Sequence, residues 1–98
     1  MQYSRVTTYE VLERPTAFDE LVERVRAGIV PTFQTLPGFV SYMLVHAHDR
    51  NAVISITVWE SRASADAATV VASEWARNNI TDLATIRDEL VGDLIMLS

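Results

Sequence analysis

The chain contains no cysteine, which excludes thiol catalysis, thiolate metal sites and disulfides. Glycine and proline are scarce, three of each, and no linker, low-complexity segment or internal repeat is visible. No apolar run approaches the roughly eighteen residues of a membrane span. The first residues, Met1-Gln2-Tyr3-Ser4-Arg5, lack the apolar core of a secretory leader, so a cytoplasmic protein is expected. Positive charge is thin. Eight Lys and Arg, none clustered, stand in a chain of net charge −5. Phosphate neutralisation needs concentrated positive charge, so neither a nucleic acid nor a membrane is an expected partner.

What is present is apolar. Ninety-eight residues make one domain, and a chain of that length buries only roughly 60–70% of its unfolded surface. An apolar content of 49% is high for so small a monomer and points to a partner surface.

Val6 to Leu12 is β-branched and aromatic and reads as a strand that Arg14-Pro15 stops. Thr16 is a candidate helix cap, with Asp19 placed to reach back. Phe18, Leu21, Val22, Val25, Ile29, Phe33 and Leu36 then recur at helical spacing. Gly28 and Pro31 predict a kink near the end of that helix, and Pro37-Gly38 ends it. Phe39 to Ala47 reads as a second strand, His48-Asp49-Arg50-Asn51 as a turn, and Val53 to Trp59 as a third strand. Ser61 or Ser64 caps a helix whose apolar face is Ala67, Ala68, Val71, Ala72 and Trp75. Asn78-Asn79 breaks it, Thr81 caps a short third helix through Ile86, and Val91 to Leu97 forms the last strand.

The order β-α-β-β-α-β is the split βαβ, or ferredoxin-like, arrangement, an α+β fold with a four-stranded antiparallel sheet and both helices on one face. On the third strand, alternation sends Ser55, Thr57 and Trp59 toward the helices and Ile54, Ile56 and Val58 away from them. Met43 and Val45 extend that outer side. So much aliphatic surface, at roughly 25 cal/mol per Å², predicts a homodimer through the helix-free face of the sheet.

Two short signatures frame the middle of the chain: Leu36-Pro37-Gly38-Phe39 and Val58-Trp59-Glu60-Ser61. With the strand-turn-strand between them, they resemble the antibiotic biosynthesis monooxygenase domain of the dimeric α+β barrel superfamily. The resemblance covers nearly the whole chain in element order and rests on residues 36–61 in sequence. It implies a dimeric barrel and one of three activities: oxygenation of phenolic or hydroquinone rings without flavin or metal, haem degradation, or isomerisation of small signalling sugars. For the oxygenase pattern, Trp59 matches a strand-three Trp, Ser55 stands where an Asn is expected, and Ala65 where a Tyr is expected. The haem-degrading pattern has an Asn on strand one, where this chain has Thr7 and Thr8. It also asks for a second Trp early in helix two, where this chain has Ala67, and a late His where it has Asn78 and Asn79. No His follows His48, which also disfavours the isomerase.

A two-residue turn at Arg50-Asn51 pairs His48 with Val53, His46 with Ser55 and Tyr42 with Trp59. Tyr42, His46, Ser55 and Trp59 then share the helix-facing side as candidate catalytic residues. A longer turn shifts the register by one and moves the strand-two residues to the outer face. In the first register a flat ligand lies between Trp59 and Trp75 or Phe33, with Thr57 and Tyr9 as further binding residues. The resemblance implies that His46 takes a proton from a phenol and that Ser55 and Tyr42 stabilise the oxyanion. No cofactor is expected. His46-x-His48 is a chelating geometry, but it lacks a third clear ligand, so no metal is expected either. Each residue also has a structural reading: Trp59 as a plug in the barrel end, Trp75 as core in step with Val71, and His48 as a solvated turn residue. A non-catalytic dimer that binds a small apolar ligand or serves a stress or regulatory role is the alternative function.

Overall fold

The computed structural model describes residues 1–98. The elements are β1 (Tyr3–Val11), α1 (Ala17–Arg24), α2 (Val30–Thr35), β2 (Phe39–Ala47), β3 (Ala52–Trp59), α3 (Arg62–Asn79) and β4 (Ala84–Asp93). The sheet order is β2-β3-β1-β4, antiparallel throughout. This is the ferredoxin-like α+β arrangement expected from the sequence. The helices cover one face, where Leu21, Val25, Ile29, Phe33, Ala65, Ala68, Val53 and Trp59 close the core.

The first helical segment is continuous but changes pitch. A π-helical turn, Val25–Ile29, joins α1 to α2, and the Val30 N–H reaches back five residues to the Val25 carbonyl. Pro31 follows in the first turn of α2, where its missing N–H costs least. The anticipated irregularity is therefore a π-turn. Gly28 sits inside it, and a Cβ there would lie 2.7 Å from the indole Nε1 of Trp75. The absent side chain lets Trp75 of α3 lean onto the π-turn. Thr16 makes no side-chain capping bond, contrary to expectation, whereas Ser61 caps α3 by accepting from the Ser64 N–H at 3.2 Å.

The two signatures meet in space. Gly38 has φ +80°, a left-handed conformation that favours glycine, and a Cβ on it would collide with Ser64. The Glu60 N–H donates to the Gly38 carbonyl at 2.8 Å. This clasp fixes the start of β2 against the start of α3.

The C-terminal third departs from the sequence reading. No helix forms from Thr81 to Ile86; α3 ends in a turn, and β4 begins at Ala84 and ends at Asp93 rather than running from Val91 to Leu97. Thr81 after Asn78-Asn79 imitates a helix cap, but pairing of Ala84 onward with β1 overrides it, and the edge strand tolerates the charges of Arg87, Asp88 and Glu89. The turn is held by Arg24, which donates to the Asn79 carbonyl at 2.6 Å and to both carboxylate oxygens of Asp82 at 2.7 and 3.2 Å. β1 likewise begins earlier than expected, at Tyr3, so its alternation includes Arg5.

The β2–β3 register also differs. His46 pairs with Val53, Leu44 with Ser55 and Tyr42 with Thr57, while Phe39 faces Trp59 across a bulge. The loop is longer than two residues, a 3₁₀ turn over His48–Arg50 closed by left-handed Asn51. Asn51 is tied to β1, its side-chain amide donating to the Val11 carbonyl at 3.2 Å. The shift is two residues, an even number, so Tyr42 and His46 keep their predicted face, while the bulge turns Phe39 inward against Trp59 and His48 leaves the strand. On the outer face Met43, Val45 and Leu90 are 47%, 46% and 67% exposed, whereas Val58 is already buried within one chain at 6%. No helix is long and apolar enough to cross a membrane.

Candidate functional site

Between sheet and helices lies a narrow cavity of about 30 Å³, room for about one water. Its helical wall is Leu21, Val25, Ile29, Phe33, Ala72 and Trp75. Its sheet floor is polar: Arg5, Thr7 and Tyr9 from β1, Tyr42 from β2 and Ser55 from β3. Two-residue alternation brings the three β1 side chains to one face, and the β1–β3 register sets Thr7 opposite Ser55.

A groove of about 410 Å³ runs along the β2 edge, lined by Phe18, Val22, Val30, Arg26 and His46. It shares Val25, Tyr42, Leu44 and Val53 with the cavity, so those four side chains form the partition between them. A volume of this size suits a small organic ligand. On the far side a second groove of about 430 Å³ meets the cavity at Tyr9 and Ile80.

Of the eight residues expected from sequence, five line the cavity: Tyr42, Ser55, Phe33, Trp75 and Tyr9. Ser55 Oγ donates to the Tyr42 hydroxyl at 3.1 Å, which leaves the Tyr42 O–H free to donate onward. Burial pushes the Tyr42 hydroxyl above its ordinary pKa, against the opposing effect of the Ser55 bond. Burial likewise pushes Tyr9 up to about 12. At neutral pH both are therefore proton donors rather than bases.

Three expected residues lie elsewhere. Trp59 is fully buried and does not reach the cavity; Phe33 stands against it edge to face, ring centroids 5.5 Å apart, and Phe39 packs at the same distance. Its indole N–H is donated to Thr57 Oγ1 at 2.9 Å, and Thr57 is itself buried at 1% exposure and lines none of the cavity. Trp59 and Thr57 are thus a core unit behind the wall, Trp59 closing one end of the core in the Phe33–Phe39–Trp59 cluster. His46 lines the outer groove instead, its ring stacked on Phe18 at 4.0 Å. Pairing with Val53, two places nearer the turn, carries it past the cavity. His48 is exposed with its ring 4.4 Å from His46, and no group of three His, Asp or Glu side chains comes together at metal-binding distance.

Arg5 is the residue that sequence reasoning missed. It is 7% exposed. Its Nε is buried without a hydrogen-bond partner, and its one ion pair, to half-exposed Glu89, is long at 4.0 Å. Desolvation pushes its pKa down, and Glu89 and Tyr9 push it back up. A guanidinium stays protonated regardless, so the cavity floor carries a positive charge. The available signal was the spacing Tyr3-Arg5-Thr7-Tyr9, which reads as one strand face once β1 is started at Tyr3.

A protein-family model described as antibiotic biosynthesis monooxygenase matches residues 5–70. No curated protein matches the chain. Among solved structures, the chain is similar to SnoaB from Streptomyces nogalater, a cofactor-independent oxygenase, with a TM-score of 0.75 and 22% identity over 98% of this chain and 95% of that one. It is similar to Rv0793 from Mycobacterium tuberculosis, with a TM-score of 0.69 and 20% identity over 100% and 97% of the two chains. It is also similar to MupZ from Pseudomonas fluorescens, with a TM-score of 0.75 and 16% identity over 92% and 66%.

Proposed function

We propose, for a chain that belongs to the antibiotic biosynthesis monooxygenase family, that it is a cofactor-independent oxygenase of a small phenolic or hydroquinone ring. The observation that carries this reading is the floor of hydrogen-bonding side chains, Arg5, Thr7, Tyr9, Tyr42 and Ser55, beneath an otherwise apolar cavity. The likeness in fold to SnoaB, itself a cofactor-independent oxygenase, supports the same reading.

The chemistry asks little of the protein. An ionised, electron-rich ring passes one electron to dioxygen; the ring radical and superoxide join as a peroxide. Loss of water then leaves a new carbonyl on the ring, so one oxygen atom is retained and the other departs with two hydrogens. The substrate supplies the electrons and dioxygen accepts them. The cavity contributes oriented donors that hold the oxyanion where no water competes. Ligand enters along the β2 groove past His46, the one imidazole on that route, which is placed to accept a proton. Parting of Val25, Tyr42, Leu44 and Val53 joins groove to cavity. Trp59 acts through Phe33, as a positioning residue.

The working unit in this reading is a homodimer. Exposed Met43, Val45 and Leu90 on the helix-free face are the apolar surface that a second copy would cover.

Oxygen uptake by purified, metal-stripped protein with a panel of anthrones and hydroquinones tests the oxygenase. Turnover above the protein-free rate is expected, reduced at least tenfold in Tyr42→Phe combined with Ser55→Ala. No turnover on any of them removes the oxygenase in favour of a ligand-binding dimer without chemistry. The observation on that side is the volume of the cavity, about 30 Å³, smaller than any ring.

A further inference from the structure

We propose that Arg5 makes the cavity, once parting of Val25, Tyr42, Leu44 and Val53 has joined it to the β2 groove, an aryl-oxyanion site: the ligand is held as its anion, phenolate oxygen on the guanidinium and ring against Phe33 and Trp75. The proposal rests on the reading of the cavity as the place where a phenolic ring binds, and it names the form in which that ring is bound.

A buried arginine is uncommon, and those that occur are paired. Arg5 is an exception. It is 93% buried, yet its Nε has no partner and Glu89 stands at 4.0 Å with half of its own side chain in solvent. A charge kept out of water with so little compensation costs several kcal/mol. The side chain does not turn away to solvent; it lines the cavity, within a chain whose net charge is −5. A negative oxygen brought against the guanidinium from the cavity, which Arg5 lines, would supply the missing compensation. Thr7, Tyr9, Tyr42 and Ser55 around it carry hydroxyls and no carboxylate; Ser55 donates to Tyr42, which leaves the hydroxyls of Thr7, Tyr9 and Tyr42 as donors toward a ligand.

The groups that set the local charge are few. From β1 comes Tyr9, from β2 Tyr42 and from β4 Glu89; the helical side chains facing the cavity, Leu21, Val25, Ile29, Phe33, Ala72 and Trp75, do not titrate. Arg5 is the one permanent charge that lines the cavity. A phenol that ionises at the protein surface and gives its proton to solvent or to His46 would be retained as the anion. A neutral ring of the same shape would leave the guanidinium unpaired.

The test uses para-nitrophenol, whose phenolate absorbs in the visible, with para-nitroanisole as its neutral counterpart, both under nitrogen so that oxygen chemistry plays no part. The bound nitrophenol is expected to ionise at least one pH unit lower than free, a tenfold preference for the anion, and to bind at least tenfold tighter than nitroanisole at neutral pH. Arg5→Lys keeps part of the shift. Arg5→Met abolishes it and reverses the preference while melting no earlier than wild type, because a buried unpaired charge has been removed. Should Arg5→Met fail to fold, the wild-type and Arg5→Lys comparisons still decide. Failure of the protein to bind nitrophenol, an unshifted pKa, equal affinity for nitroanisole, or the same shift in Arg5→Met overturns the proposal. The two readings separate cleanly. Oxygen uptake without an Arg5-dependent shift leaves the oxygenase and removes this assignment. An Arg5-dependent shift without oxygen uptake does the reverse.

Discussion

Replacing Gly28 with alanine tests how the π-turn and Trp75 are joined. A Cβ at that position would meet the indole at 2.7 Å from Nε1, 2.8 Å from Cζ2 and 3.0 Å from Cε2. Ordinary contacts between such atoms lie at about 3.5–4.0 Å, so the indole must retreat by about 1 Å. Overfilling a packed site costs about 1–3 kcal/mol. Against this, alanine in a helical turn gains about 1 kcal/mol over glycine, through propensity and a less flexible unfolded chain. The larger effect wins, and Gly28→Ala is expected to lose about 1 kcal/mol, a fall in melting temperature of roughly 4–8 °C for a domain of this size.

The reasoning is checked by a double-mutant cycle. In a Trp75→Ala background the obstructing indole is gone, so the same Gly28→Ala change should stabilise by about 1 kcal/mol. The coupling, about 1–3 kcal/mol, is read from urea denaturation of the four proteins. Trp75 also lines the cavity, so its emission should shift in the single variant. Equal effects in both backgrounds, within about 0.5 kcal/mol, would refute the account and mean that the indole has room to move.

Two more predictions address the other face and the cavity floor. Val45→Glu, at a position 46% exposed on the helix-free face of edge strand β2, should convert a dimer to monomers on sizing chromatography and leave the fold intact; a dimer that survives it is built on another surface. Alkaline stability should reflect Tyr9. Its folded pKa is about 12 against an ordinary 10.0, so the buried neutral hydroxyl contributes fully below pH 10 and its contribution is lost as pH rises toward 12, roughly 2–3 kcal/mol in all. Tyr42 shifts in the same direction. Denaturant titrations at intervals across that range should show the decline in wild type and a shallower one in Tyr9→Phe; identical slopes would mean that Tyr9 titrates in contact with water.

The architecture was legible because its signals are local. Apolar spacing marked both helical segments, alternation marked β3, and Pro37-Gly38 and Ser61 marked boundaries that the structure retains. Where the reading missed, a distant contact had overruled a local one. Thr81 after Asn78-Asn79 looks like a helix cap, yet β1 recruits Ala84 onward as an edge strand and Arg24 clamps the turn through Asp82. The β2–β3 register depended on a loop whose length is set by left-handed Asn51 and its bond to Val11 on another strand. Neither tie is visible from a window of neighbouring residues.

The site was legible only in part, for a reason that bears on the whole family likeness. The two signatures that announce the fold do mechanical work: Gly38 must be glycine to fit against Ser64, Glu60 closes the clasp with its backbone, and Trp59 closes one end of the core with its one polar group already spent on Thr57. Such residues identify an architecture and are silent about what it binds. The polar lining of the cavity comes instead from positions with no motif, every second residue of β1, where Arg5, Thr7 and Tyr9 share a face with Ser55 and Tyr42. A change at Arg5 would alter the charge of the cavity and leave every recognisable signature in place. For this fold, then, the side chains that face the cavity from β1 are the ones from which a ligand should be inferred, and a single buried guanidinium there says more about the ligand than the tryptophan that marks the family.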